Sequence, residues 1–274
     1  MTLLDESVTP VGRAGLTALL DRPKDALIGL DFDGTLAPIV PDPRDSRALP
    51  GIIPVLTRLA GSVGTLAVIT GRTVAEAVGL GGLAEVPGIV VLGHYGAERW
   101  QDGTVTAPDV PPAVEQARAA LPGLLRDSGA PDGTWIEDKH YSLAVHTRRT
   151  ADPDAALELL RGPLTALAAE LGLAAEPGRQ IVELRPGRVD KGSALIGLVR
   201  ETSASSDIYC GDDLGDLPAF AAVRTLRGEG IPGCAVASGS AEASEVAAAA
   251  DLVVAGPAGI LRLLDEIAAV LEDR

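Results

Sequence analysis

Short apolar runs alternate with stretches of helical periodicity over the first hundred residues, and this alternation constrains the fold more than any other feature of the chain. Ala26 to Leu30 is too short for a helix and stops at Asp31, with the breaker Gly34 just beyond. Gly51 to Leu59 carries apolar residues at helical spacing. Leu66 to Ile69 is a second short run, followed by Gly71 and a helical stretch from Thr73. Ile89 to Leu92 is a third, closed by Gly93. The β-α-β-α-β order predicts parallel strands joined by crossover helices.

The middle of the chain reads differently. Val110 to Arg126 predicts a helix with a kink or break at Pro122, and Trp135 to His146 predicts two strands around a turn. Asp154 to Leu171 predicts a helix interrupted at Gly162 and Pro163, and Ile181 to Leu184 a further strand. From Lys191 the first pattern resumes. It predicts a helix to about Val199, a strand Ile208 to Cys210, a helix after Asp213 and a strand Ala235 to Ala237. A helix Ala241 to Ala250, a strand Leu252 to Val254 and a helix from Ala258 complete it. The expected organisation is an α/β core from residues 1–97 and 187–274, with an α+β domain inserted over 98–186. Hinges are expected near Gly93 to Gly96 and Pro186 to Gly187.

Composition removes several function classes. Lys plus Arg number 23 against 38 Asp plus Glu, for a net charge of −15. Nucleic-acid binding depends on Lys and Arg neutralising phosphates, so no nucleic-acid partner is expected. Anionic membranes would repel the chain, and no run of about 18 apolar residues offers a span. Met1 to Pro10 lacks a basic region followed by an apolar stretch, so a leader is not expected and a cytoplasmic location is. Two distant cysteines, Cys210 and Cys234, build neither a disulfide framework nor a zinc site.

Four segments carry chemistry. Asp31-Phe32-Asp33-Gly34-Thr35-Leu36 follows the first strand, at the carboxyl edge where open parallel sheets bind ligands. Gly34 allows the backbone to turn both carboxyl groups into one pocket, which suits a carboxylate nucleophile beside an acid–base partner. A lone Asp-x-Asp would more often be a turn or a helix cap; the full hexapeptide behind a strand is more specific. Gly211-Asp212-Asp213-Leu214-Gly215-Asp216 follows another strand. Its three carboxylates repel one another unless a cation joins them, and hard oxygen donors favour Mg2+. An acidic loop capping a helix is the plainer reading, above all for Asp213. In Ile69-Thr70-Gly71-Arg72, a hydroxyl at a strand end and a helix start can hold a phosphate oxygen, although Thr-Gly-Arg is also a common turn. Asp190-Lys191-Gly192 opens a helix, where Lys191 either presents a cation to a phosphate or is simply solvated.

In this order, from residue 27 to residue 220, the four segments resemble the haloacid dehalogenase superfamily of phosphatases. The resemblance implies a Rossmann-like parallel-sheet core with an inserted α+β cap domain of the larger type. One branch, the trehalose-6-phosphate phosphatases, is more similar. The words that carry this are Leu30 to Ile39, Gly93-His94-Tyr95-Gly96-Ala97-Glu98, Glu137 to His146 with Arg148, Val182 to Pro186, and Val189 to Ala194. The acidic loop departs from the family at Gly215, Leu217 and Pro218, where Thr and acidic residues are usual.

The resemblance implies Asp31 as nucleophile and Asp33 as general acid and base, with Thr70 and Lys191 completing the catalytic set. Mg2+ would sit on Asp31, the Asp33 backbone carbonyl and Asp212. Arg72, Glu137, Lys139, His146, Arg148, Glu183, Arg185 and Asp216 are the expected substrate contacts; for each residue of the inserted domain a solvated sheet face is the competing reading. The implied reaction is Mg2+-dependent hydrolysis of trehalose 6-phosphate through an aspartyl-phosphate. The expected partner is a small sugar phosphate and the expected state a monomer. Another sugar-phosphate phosphatase of the same cap type (acting on sucrose phosphate or mannosylglycerate phosphate), a phosphomutase and a non-catalytic sugar-phosphate-binding module remain as alternatives.

Overall fold

The computed structural model describes residues 8–178, 180–187, 190–239 and 244–274. Two compact units result: Met1–Ala107 with Asp190–Arg274, and Pro108–Val189. The strands, in chain order, are β1 (Ala26–Leu30), β2 (Thr65–Ile69), β3 (Val90–Gly93), β4 (Glu98–Gln101), β5 (Thr104–Thr106), β6 (Trp135–Asp138), β7 (Leu143–His146), β8 (Leu173–Gly178), β9 (Ile181–Pro186), β10 (Ser206–Gly211), β11 (Gly233–Ser238) and β12 (Leu252–Val254).

In the first unit, eight of the described strands form one sheet in the order β12-β11-β10-β1-β2-β3-β4-β5. The six from β12 to β3 run parallel. Alternate residues of β1 and β2 enter different cores: Ile28, Leu30, Leu66 and Val68 join one, Leu27, Ala67 and Ile69 the other. Burial on both faces explains why these strands read as unbroken apolar runs. Strand order reverses at β1, which lies between β2 and β10. A crevice opens at the carboxyl ends of strands at such a reversal. The expected Rossmann-like core is borne out.

The expected start of the insertion at 98 moves to Pro108. Residues 98–106 are the hairpin β4-β5, which pairs antiparallel on β3 and extends the core sheet. The expected hinge at Gly93 to Gly96 is therefore interior to the first unit. It is also tightly packed, since a Cβ on Gly93 would lie 2.6 Å from the Val74 nitrogen. The return to the core falls at Asp190 rather than 187.

The second unit is a four-stranded antiparallel sheet, β6-β7-β9-β8, with helices Pro112–Asp127 and Pro153–Leu171. Both helices run through their internal prolines, so the interruption expected at Pro163 is not seen and Pro122, expected to kink or break its helix, does not break it. Proline forfeits one helical hydrogen bond. For Pro163 the carbonyl concerned belongs to Leu159, which lies on the exposed side of the helix.

A helix over Pro10–Asp21 was not expected from the sequence. Thr9 caps it by accepting from the Gly12 amide. Its buried face includes Gly12 and Gly15, and a Cβ on Gly15 would stand 2.2 Å from the Gly233 carbonyl. The helix thus packs backbone-close on β11, and small residues on that face hide the apolar periodicity. The helix expected from Ala241 is seen as Ser244–Ala249; its first residues, like Val189 and residues 1–7 of the N-terminal reading, lie outside the described residues. Among the described residues no helix is long and apolar enough to cross a membrane.

Candidate active site

The first and tenth strands bring together residues far apart in sequence. β1 and β10 pair with Leu30 opposite Cys210, and the Asp31 amide donates to the Cys210 carbonyl at 2.8 Å. Asp31 and Asp212 therefore leave adjacent strand ends side by side. Carboxylate oxygens of Asp31, Asp212 and Asp216 lie within 4.8 Å of one another, and all three residues are buried.

Two glycines permit this approach. Gly34 has φ +71°, and a Cβ there would stand 2.0 Å from Asp212 Oδ2. A Cβ on Gly211 would stand 2.2 Å from Asp216 Cγ. Ser238, on β11, donates its hydroxyl to the Gly34 carbonyl at 2.6 Å and ties down the turn.

Lys191 is the internal cation. It begins the helix Lys191–Thr202, which Asp190 caps in a capping box with Ser193. Its Nζ is 2.7 Å from Asp31 Oδ1 and 2.8 Å from Asp216 Oδ1. Burial opposes its charge, but Asp216 and Asp31 prevail and hold its pKa well above the ordinary lysine value. The solvated alternative for Lys191 is thereby excluded.

The carboxyl groups show the opposite tendency. Burial, only partly countered by Lys191, pushes the Asp31 pKa well above the usual range, and Asp216, Asp213 and Asp212 push it further. Asp212 is raised to about 7, first by burial and then by Asp213 and Asp216. Asp213 is raised too, by burial and Asp216; it caps the short turn Leu214–Asp216, as its plainer reading required. One lysine thus does not balance the crowded acids. The donor set is hard oxygen on rigid elements, which fits a small divalent cation.

Asp216 was expected to contact substrate, and its surroundings correct that. It is fully buried. Its Oδ1 accepts from Lys191 and from the Tyr209 hydroxyl at 2.7 Å, and its Oδ2 from the amides of Asp212 and Asp213 at 2.9 and 3.2 Å. Its oxygens hold the loop and the lysine. Tyr209 was missed by sequence reasoning, although a tyrosine inside an apolar strand signals a buried hydroxyl in need of a partner.

Thr70 directly follows β2 and is buried, its Oγ1 accepting from the Arg72 amide at 3.2 Å. Arg72 was expected to contact substrate. Instead its Nε and Nη2 grip the two Asp33 oxygens at 2.6 and 2.7 Å, and Nη2 also donates to the Pro43 carbonyl at 2.8 Å. The Ser46 hydroxyl lies 3.1 Å from Asp33 Oδ1. Nothing in the sequence around Ser46 marks it.

The second unit carries its own polar array. Register puts Glu137, Ala144, Glu183 and Glu176 in one row across β6, β7, β9 and β8. Ile136, Val145, Val182 and Leu184 fall on the opposite face and pack with the helices. Small Ala144 leaves space between the glutamates. Glu183 is buried, accepts from the Ser142 hydroxyl and lies 3.5 Å from Lys139 Nζ. His146 is 2.8 Å from Glu137 through Nε2 and stacks on Trp135 at 4.3 Å. The hydrogen bond to His146 is the main cause that lowers the Glu137 pKa, with Lys139 and Arg148 contributing against burial. Arg148 is exposed beyond β7. Arg185 turns toward β8, 3.2 Å from Glu176.

The chain is similar to known proteins in sequence and in fold. A sequence model of the trehalose-phosphatase family matches residues 29–257. The trehalose-phosphate phosphatase of Mycobacterium avium (strain 104) is 36 % identical over 216 residues, which cover 74 % of this chain and 52 % of the relative. The chain thus spans about half the length of the first curated relatives it matches. Among solved structures, the C-terminal domain of Candida albicans trehalose-6-phosphate phosphatase aligns with a TM-score of 0.71 at 22 % identity, covering 96 % of this chain and 99 % of that one. A haloacid dehalogenase-like hydrolase from Bacteroides thetaiotaomicron aligns at 0.57 and 19 % identity, covering 88 % and 99 %.

Proposed function

The chain belongs to the trehalose-phosphatase family, and from that premise we propose that it hydrolyses trehalose 6-phosphate to trehalose and inorganic phosphate. The observation that carries the proposal is the cluster at the reversal of strand order, where Asp31, Lys191, Asp212 and Asp216 meet.

In this reading an Asp31 oxygen attacks phosphorus. The bond from phosphorus to the sugar oxygen breaks, and that oxygen takes a proton from Asp33. Water then attacks the aspartyl-phosphate, Asp33 accepts its proton, and phosphate leaves with Asp31 restored. Lys191 and Thr70 hold phosphoryl oxygens, and phosphoryl transfer is catalysed largely by such positioning. Mg2+ held by Asp31, Asp212 and the Asp33 backbone carbonyl would supply the positive charge that lets a phosphate dianion approach an anionic nucleophile. Asp216 supports this set by fixing Lys191 and the loop amides.

Recognition of the uncharged sugar needs hydrogen bonds to hydroxyls. Glu137, Lys139 and Glu183 share one polar region of the inserted sheet, and they are the residues we assign to it. His146 orients Glu137.

The test is phosphate release from trehalose 6-phosphate, sucrose phosphate, mannosylglycerate phosphate and glucose 6-phosphate, with Mg2+ and after chelation. Preferential, chelator-sensitive release from trehalose 6-phosphate is expected. Preference for another substrate would reassign the sugar. An isomeric sugar phosphate without free phosphate would indicate a mutase, and binding without turnover a non-catalytic module.

A further inference from the structure

Asp33 is the one carboxylate of the first motif that does not face Lys191. Both its oxygens are occupied by the Arg72 fork, with Ser46 beside one of them. Three of its four lone-pair sites are thus filled, and a fork bound to both oxygens at once leaves the carboxylate no freedom to reach another group. One of the two residues must move before the reaction assigned to Asp33 can occur.

The surroundings identify which. Arg72 is fixed on several sides: its Cζ lies 5.6 Å from the centre of the Phe32 ring, its Nη2 is on the Pro43 carbonyl, and its amide is on Thr70. Its side chain is 11 % exposed, against 34 % for Asp33. The guanidinium is the anchored member and the carboxylate the mobile one. A partly exposed ion pair is weak enough to exchange partners, and a planar fork defines one geometry for the bound carboxylate.

We propose that Arg72, with Ser46, is a dock for Asp33. It holds the carboxylate in a single resting rotamer, from which it swings to the leaving oxygen and to which it returns. Arg72 is then a positioning residue that acts through Asp33 rather than a phosphate ligand. The proposal rests on Asp33 being the proton donor in the function proposed above.

Leaving groups separate these roles. An alkoxide must be protonated as it departs, whereas p-nitrophenolate leaves without a proton. The ratio kcat/KM reports the chemistry up to departure of the leaving group, so it isolates this step from hydrolysis of the aspartyl-phosphate. Arg72→Ala should lower kcat/KM for trehalose 6-phosphate about tenfold or more, with less than about threefold loss on p-nitrophenyl phosphate, within the range of general-acid effects. Asp33→Asn should show the same selectivity more strongly. Adding Arg72→Ala to Asp33→Asn should cost nothing further on either substrate, because residues acting through one group are not additive. Ser46→Ala should give the same selectivity in weaker form, and it stands in if Arg72→Ala does not fold.

Equal losses on both substrates, or additive losses in the double variant, overturn the dock and make Arg72 a direct phosphate contact. If Asp33→Asn itself shows no selectivity, the proton-donor reading fails and the dock with it. If trehalose 6-phosphate is not turned over but another alkyl phosphate is, the substrate assignment fails and the same cycle decides the dock on that substrate. Crystal structures give a readout without turnover: Arg72→Ala should release the Asp33 rotamer, and an unchanged carboxylate position overturns the proposal.

Discussion

Lys191 Nζ lies 2.7 Å from Asp31 Oδ1, although 160 residues separate the two in the chain. The contact joins the expected nucleophile to a cation that is itself buried. It makes Lys191 a structural group as well as the cation proposed to bind phosphate.

Lys191→Met should therefore affect two measurements. Removing one partner of a buried ion pair costs about 3–5 kcal/mol, because the remaining charge is left without compensation. Asp31 and Asp216 would be the stranded groups. Urea unfolding should show a loss of that order, and Mg2+-dependent phosphate release should fall by at least about a hundredfold, the scale of losing one charge-stabilising donor. Full retention of stability would show that the carboxyl groups are not held by the lysine.

Gly34→Ala should damage the acidic cluster without removing any ligand. Its positive φ, +71°, disfavours a side chain, and the new Cβ would collide with Asp212 Oδ2. Asp212 must then move. The expected result is a higher Mg2+ concentration for half-maximal activity, with a stability loss of about 1–3 kcal/mol from the strained backbone. A Mg2+ titration of activity with parallel thermal unfolding checks both. An unchanged Mg2+ dependence would place Asp212 outside the metal set.

Glu183→Ala should separate sugar recognition from chemistry. Glu183 belongs to the inserted sheet, paired with Lys139 and Ser142. Turnover of trehalose 6-phosphate should fall by about a hundredfold, as expected when buried partners of a substrate hydroxyl are left unpaired. Turnover of p-nitrophenyl phosphate should change little. Equal losses on both substrates would remove Glu183 from sugar binding.

Asp207 predicts a pH dependence of folding. It is fully buried at the start of β10, and neither carboxylate oxygen has a hydrogen-bond partner. Burial raises its pKa from 3.8 to about 7, opposed by Arg227. Cys234 is its other titratable neighbour; Asp251 and Arg227 also act on that thiol, and those two are paired with each other. The folded pKa lies above the unfolded one, so the folded state keeps a proton that the unfolded chain has lost. Stability from this group is complete below the unfolded value, declines as pH rises, and levels off above about pH 7, a total of about 4 kcal/mol. Asp207→Asn should flatten that part of the profile in urea unfolding across the range. An unchanged slope would mean that Asp207 is ionised in the folded protein.

Much of the first unit was legible because its signals are local. β1 and β10 are buried on both faces, so each reads as an apolar run, and the polar residues that follow mark the functional edge of the sheet. Less legible were elements whose signals depend on neighbours. The β4-β5 hairpin lacks an apolar run and is a strand pair only because β3 offers an edge. The helix Pro10–Asp21 buries two glycines against β11, so its packing face carries little hydrophobicity. The helix went unassigned, and the hairpin was placed in the insertion, whose boundary therefore moved.

For the site, the sequence by itself determined the chemical inventory: two carboxylates after one strand, three after another, a hydroxyl, and a lysine at a helix start. Local spacing suffices for that, since strand ends and helix starts are set by neighbouring residues. Tertiary structure alone decided how the groups are paired. It buried Asp216 among Tyr209, Lys191 and two amides, which makes it a support for the cluster. It paired Arg72, expected from the sequence to contact substrate, with Asp33 and brought Ser46 to the same carboxylate. Hydrogen bonds and ion pairs act over a few ångströms, and those distances are fixed by the order of strands in the sheet, not by separation along the chain.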